Sequence, residues 1–213
     1  MTSPRTASES PQATRPAQER GRRRRAALLA AATGLLEQGG FTAVTHRAVA
    51  ARAGLPLAAT TYYFTSRDEL VAEAFAMLVA GELDGMRARA EAATAAGRPT
   101  PEDLAAALAA AMGPQAGPEG DRLRQLGLWE LYLQAGRDPA LQAIARDWTD
   151  GCDTVVAETL RRAGYPSGRH AARTVGVLLA GLWMEYLVEG RPEATHEAHA
   201  LLARTLRALP GAE

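Results

Sequence analysis

The residues best suited to chemistry lie in the first third of the chain, and the chemistry is that of binding a polyanion. Arg20 and the run Arg22–Arg25 precede a segment, Thr60-Thr61-Tyr62-Tyr63, that offers hydroxyls and aromatic rings where a core helix would offer aliphatic side chains. Arg67 stands at the start of the next expected helix, where a cation opposes the helix dipole and gains nothing for the fold; a bound phosphate would give it a reason. Residues 1–67 hold ten arginines and three glutamates, a charge of +7, and the rest of the chain carries −7, so the net charge of zero is a cancellation. A basic front on an acidic body points to a polyanion partner for the front alone. The arginine run reads either as a solvated first helical turn or as an arm that follows phosphates or enters a minor groove.

Other chemistries find little support. Cys152 is the single cysteine, which excludes an internal disulfide and a multi-cysteine metal site and fits a reducing cytoplasm. His170, His196 and His199, with Glu193 and Glu197 nearby, read as solvated helix faces, and so do Asp147, Asp150 and Asp153. No nucleophile–base order, metal motif or phosphate-binding glycine loop is present, so no enzyme activity, cofactor or metal is expected. No uninterrupted apolar run approaches the roughly 18 residues of a membrane span, and no secretory h-region precedes a cleavage site. A cytoplasmic protein with no membrane partner is the expectation.

The elements that must position these residues are helical. Alanine is abundant, β-branched residues rarely alternate with polar ones, and apolar residues recur at helical spacing. Residues 1–19 form a Ser/Thr/Pro-rich tail expected to be disordered. A first helix is expected over 20–38, with Leu28, Ala32, Leu35 and Leu36 on one face and Gly39-Gly40 as its stop; Phe41 and Val44 then fold back. Thr45 caps a second helix, 46–53, ended by Gly54. Pro56 opens a short third helix to Tyr63. Ser66-Arg67-Asp68-Glu69 reads as a capping box for a long fourth helix, to about Ala95. Five more follow, over about 101–112, 121–134, 138–163, 167–189 and 192–209, giving an all-α chain of about nine helices. The sixth is apolar almost all round, the pattern of a buried helix. Two short helices joined by a glycine turn behind an apolar helix make a helix-turn-helix pattern.

The stretch from Gly40-Phe41 through Thr45, Val49-Ala50, Ala53-Gly54-Leu55-Pro56, and then Thr60-Thr61-Tyr62-Tyr63-Phe64-Thr65-Ser66-Arg67-Asp68-Glu69-Leu70, closely resembles the DNA-binding domain of TetR-family regulators. It departs from the family pattern at Ala58, where glycine is frequent, at Thr61, where tyrosine is, and at Pro56, which replaces a serine cap; the Thr-Thr-Tyr-Tyr-Phe form looks like a recurring subgroup. The resemblance implies a helix-turn-helix domain over 20–66 that extends into the fourth helix, to about residue 83, and a ligand-binding and dimerisation domain over 84–213. It implies a transcriptional regulator, a repressor released from a palindromic DNA operator by a small, mostly apolar effector. Thr45 would meet a phosphate, His46 and Arg47 would lie near the groove edge, and Ala59 and Thr60 would set methyl groups against thymine. Thr61 and Tyr62 would face base edges or sugar-phosphate, and Tyr63 and Arg67 would hold phosphates. Phe41, Val49, Leu55 and Phe64 read as core.

The rest of the chain carries no comparable motif. Met77, Met112, Trp129, Tyr132, Trp148, Cys152, Trp183, Met184 and Tyr186 are candidate pocket residues; each alone reads as core packing, and as a set they mark a cavity wall. The last two long helices are apolar enough to pair with their copies in a homodimer, as the resemblance implies. The alternative is a helical adaptor that has lost specific DNA binding.

Overall fold

Helix α1 (Arg15–Ala43) begins five residues before its expected start and is interrupted at Gly39-Gly40, where Gly40 adopts φ +62°, ψ −161°, a conformation open to glycine alone. The chain turns there, Phe41 returns onto the core and Val44 is fully buried. The structure is a computed structural model describing residues 15–95, 98–113, 119–190 and 194–209; the expected tail, as far as residue 14, lies outside them. Thr45 caps α2 (His46–Ala53) by accepting from the Ala48 N–H at 3.1 Å. Gly54 closes α2 at φ +65°, and its N–H and that of Leu55 satisfy the last carbonyls. Pro56 precedes α3 (Leu57–Tyr63), and Ser66 caps α4 (Arg67–Ala93).

The capping box at Ser66 forms only in half. Ser66 accepts from the Glu69 N–H, but the Glu69 carboxylate is held by the Thr65 N–H and hydroxyl, each at 2.6 Å. These bonds keep the Glu69 carboxyl below its ordinary range, the Thr65 hydroxyl contributing most. A complete box stands instead at Thr100 and Asp103, which open α5 (Pro101–Met112). The remaining helices are α6 (Glu119–Ala135), α7 (Pro139–Arg162), α8 (Arg169–Glu189) and α9 (Ala194–Ala208), so the described residues form nine helices and no strand.

Two cores hold them. The larger joins Leu28, Leu36, Val49 and Phe64 of the N-terminal helices to Leu70, Phe75 and Leu78 of α4, Leu131 of α6 and Val155 of α7. Each such fully buried side chain contributes roughly 1.5–3 kcal/mol through its removal from water. α4 is about 40 Å long at 1.5 Å per residue and runs from the first core into the body of the bundle, so no break separates the two expected domains there. The second core packs α5, α7, α8 and α9 around Leu104, Leu108, Val156, Leu160, Val175 and Leu202. α6 departs from expectation: Leu128 and Leu131 are buried, but Leu133 is 66% exposed, so only one face of that helix is inside. α8 is apolar enough by length and composition to resemble a membrane span, yet Val175, Leu179, Trp183 and Leu187 pack it into the bundle.

Candidate nucleic-acid interface and ligand cavity

Helix α3 has too few residues to stand alone, and the side it buries decides the side it offers. Phe64 is 1% exposed and Thr60 is fully buried, its hydroxyl donating to the Leu57 carbonyl at 2.7 Å. Ala59 packs against the same core. Of the two residues expected to touch thymine methyls, Thr60 therefore faces inward and Ala59 is half-buried. What α3 presents is Leu57, Ala58, Thr61 and Tyr62, a stripe at i, i+1, i+4 and i+5, with Tyr62 81% exposed. Thr61 and Tyr62 were expected on this face; Leu57 and Ala58 were missed. Their signal was present, because the core positions 60 and 64 fix the opposite face. Tyr63 is half-buried, edge-on to Tyr62 at 4.9 Å and close to Gly21 of α1.

The cations divide into two groups. One terminal nitrogen of Arg25 donates to both carboxylate oxygens of Glu73 at 2.6 Å, and the guanidinium sits 5.0 Å over the Phe64 ring; Arg52 donates to Gln38 at 2.7 Å, so both tie the small domain together. Arg67 belongs with them, against expectation. Its Nε donates to the Val44 carbonyl at 2.8 Å and its second nitrogen to the Phe41 carbonyl, locking the turn between α1 and α2 to the start of α4. Arg22, Arg24 and Arg47 are exposed, as is Thr45. His46 is half-buried, with Nδ1 buried and lacking a hydrogen-bond partner.

Between the cores lies a partly open cavity of about 300 Å³, at the lower end of the range of ligand pockets (roughly 300–1,000 Å³). Six of the expected residues line it: Met112, Trp129, Tyr132, Trp148, Cys152 and Trp183. Met77 does not, since it is 46% exposed on the outer side of α4. Tyr186 and Met184 do not either; Tyr186 stacks edge-on against Trp183 at 5.7 Å and packs in the second core. Phe75, Val79 and Met86 of α4, Gln125 and Leu128 of α6 and Val177, Leu179 and Leu187 of α8 also line the cavity. The expected solvated face of α7 is corrected at Asp153, which lines the cavity, as does Arg173 from α8. Cys152 beside it has its thiol pushed up to about 12, mainly by burial and then by the Asp153 charge, which removes the thiolate a redox sensor would need. Among the described residues no group of His, Cys, Asp and Glu is placed to hold a metal.

A basic front, a helix-turn-helix with an exposed polar-aromatic face and a helical body around an apolar cavity have known counterparts. Residues 28–74 match the family described as bacterial regulatory proteins, tetR family, and residues 99–208 match the tetracyclin repressor-like C-terminal domain. The chain belongs to the TetR family. It is therefore a DNA-binding transcriptional regulator and not an enzyme. Among solved structures it is similar to the multidrug binding protein EbrR complexed with imidazole, at 28% identity and TM-score 0.67 over 89% of this chain and 97% of that one. The EbrR complex with proflavin gives 29% identity and TM-score 0.66 over 85% and 99%. A transcriptional regulator, SCO7518 of Streptomyces coelicolor A3(2), gives 25% and 0.67 over 86% and 98%. No curated protein matches the sequence.

Proposed function

We propose that this TetR-family regulator is a cytoplasmic homodimeric repressor that reads a palindromic operator with α3 and leaves it when a small, largely aromatic molecule fills the cavity. The observation that carries this reading is the sharing of helices. α4 and α6 wall the cavity with Phe75, Val79, Leu128 and Trp129, and the same helices pack Leu70, Ala74 and Leu131 into the core of the DNA-binding helices. Support for the dimer comes from α8 and α9, which carry exposed apolar side chains in Val188, at 63% exposure, and Leu201, at 36%. Two copies would set their recognition helices one DNA turn apart, about 34–36 Å. The relatives bound to imidazole and proflavin support an aromatic occupant. A ligand releases DNA only by its differential affinity for a second spacing of the dimer.

The test is fluorescence anisotropy of the protein on DNA from upstream of its own gene and neighbouring genes, with nonspecific competitor and a salt series. Tight binding that needs both half-sites and falls steeply with salt, about −0.9 in log–log slope per phosphate neutralised, is expected. Binding no better than to random DNA at every such region would overturn the operator reading and favour an adaptor that has lost specific DNA binding.

A further inference from the structure

Helix α3 is built from leucine, alanine, threonine and tyrosine alone, so it holds no amide, carboxylate or guanidinium with which to bond a base edge. The guanidinium pair on guanine and the amide pair on adenine are both closed to it. Its threonine hydroxyls are spent on its own backbone. Thr60 is fully buried and donates to the Leu57 carbonyl at 2.7 Å, and Thr61 donates to the Ala58 carbonyl at 3.2 Å. With that proton committed, exposed Thr61 has a methyl to offer a groove. Leu57, 47% exposed, and Ala58, also exposed, are wholly apolar. These three lie at i, i+1 and i+4 on the face away from Thr60. They span about 6 Å at about 1.5 Å per residue, which is about two base-pair steps of roughly 3.4 Å. Tyr62 flanks this stripe, with its ring edge-on to Tyr63. The apolar feature that a major groove presents is the C5 methyl of thymine. 5-Methylcytosine carries the same methyl at the same ring position.

We infer that α3 reads base methyl groups, through Leu57, Ala58 and Thr61, at two neighbouring base pairs of each operator half-site, and accepts 5-methylcytosine there where it accepts thymine. This rests on the operator reading above and adds what the operator must present to the protein. The three side chains bury apolar surface against methyls and offer nothing to the oxygen or nitrogen beside them. The hydrogen-bonding pattern that separates a T·A from a C·G pair therefore goes unread at these two positions. Uracil, which has the hydrogen-bonding edge of thymine without its methyl, is the discriminating base. Methylating a cytosine at either pair strengthens binding.

The experiment is a selection by the full chain from a library of random DNA duplexes, followed by anisotropy on synthetic copies of the palindrome it yields. In these copies each thymine is replaced, symmetrically in both half-sites, by uracil, and each T·A pair by C·G or by 5-methylcytosine·G. Burying one methyl-sized group is worth about fourfold in affinity, so uracil at a read position is expected to weaken binding about 15-fold over the two half-sites. C·G is expected to weaken it at least as much, and 5-methylcytosine·G to bring it back to within about twofold. Thr61→Ser keeps the hydroxyl and removes the methyl. It is expected to weaken the thymine palindrome by the same factor, to cause no further loss on one of the uracil copies, and to melt with wild type. A palindrome without thymine in its half-sites, uracil copies that all bind within about twofold of the thymine form, or 5-methylcytosine that behaves as cytosine overturns methyl reading while the operator reading stands. Enrichment of no palindrome overturns the operator reading together with the inference.

Discussion

Arg67 was expected to hold a DNA phosphate, and the structure gives it a different task that a single residue can test. Its Nε donates to the Val44 carbonyl at 2.8 Å and its terminal nitrogen to the Phe41 carbonyl, while the charge itself has only a long contact with Asp68, at 3.7 Å. Deleting a hydrogen bond from a charged donor costs about 1.5–3 kcal/mol. The side chain is 42% exposed, so water replaces part of each bond, and roughly 2 kcal/mol for the pair is a fair expectation. For a chain of this length that is a fall in Tm of about 4–8 °C. Arg67→Met and Arg67→Lys are melted without DNA and then titrated against operator over a salt series. Lysine keeps the charge but lacks the two-pronged fork, so both variants are expected to lose stability and to keep the wild-type salt slope. A Tm within about 1 °C of wild type for both, with a slope shallower by about 1.8 (about 0.9 for each protomer of the dimer) in Arg67→Met alone, would refute the structural role and restore the phosphate contact.

Thr60→Val removes a buried hydroxyl without changing shape and is expected to leave operator preference unchanged, whereas Tyr62→Ala, on the exposed face, should cost about tenfold or more in operator affinity and leave Tm unchanged; competition anisotropy and thermal melts separate the two. Gly54→Ala is expected to lower stability by about 1–2 kcal/mol, measured by urea unfolding, because its φ of +65° strains an L residue even though nothing crowds the new methyl. The Glu69 carboxyl is depressed by Thr65, so its contribution is present above the ordinary value of 4.5 and is lost as pH falls through the lower folded value. The stability gap between wild type and Glu69→Gln, followed by urea unfolding over pH, should therefore shrink on acidification below about 4.5; a gap that widens there would contradict the Thr65 contact.

The helices were legible because their ends carry chemistry: Gly39-Gly40, Thr45, Gly54 and Ser66 all stop or cap where the sequence places them. The inner face of α1 was legible from spacing alone, with Leu28, Ala32 and Leu36 fully buried. The rotation of α3 was not. Seven residues make about two turns, too short for a period to fix its phase, and the resemblance supplied roles without supplying a direction. Phe64, fully aromatic and just beyond the helix, was the anchor that orients it. The backbone contacts of Arg67 were not legible because a dipole argument considers only the helix a residue starts, and its partners lie 23 and 26 residues earlier. Asp153 was taken for a solvated acid because α7 carries Asp147, Asp150 and Asp153 at spacing three; only the crossing of α8, with Gly176 against it, turns the last of them inward.

The proposed release of DNA needs a physical route from cavity to α3, and α6 supplies a second one beside α4. Gly127 of α6 stands where a Cβ would lie 3.6 Å from the Glu37 carbonyl at the end of α1, and Glu130 lies against Gly40 at the break. Gln125, Leu128 and Trp129, one turn or less from Gly127, are cavity wall. A ligand that moves the inner face of α6 therefore moves a surface packed on α1 at the point where the chain turns into the helix-turn-helix. The same coupling runs in reverse: operator bound to α3 must weaken ligand binding by the factor by which ligand weakens operator binding.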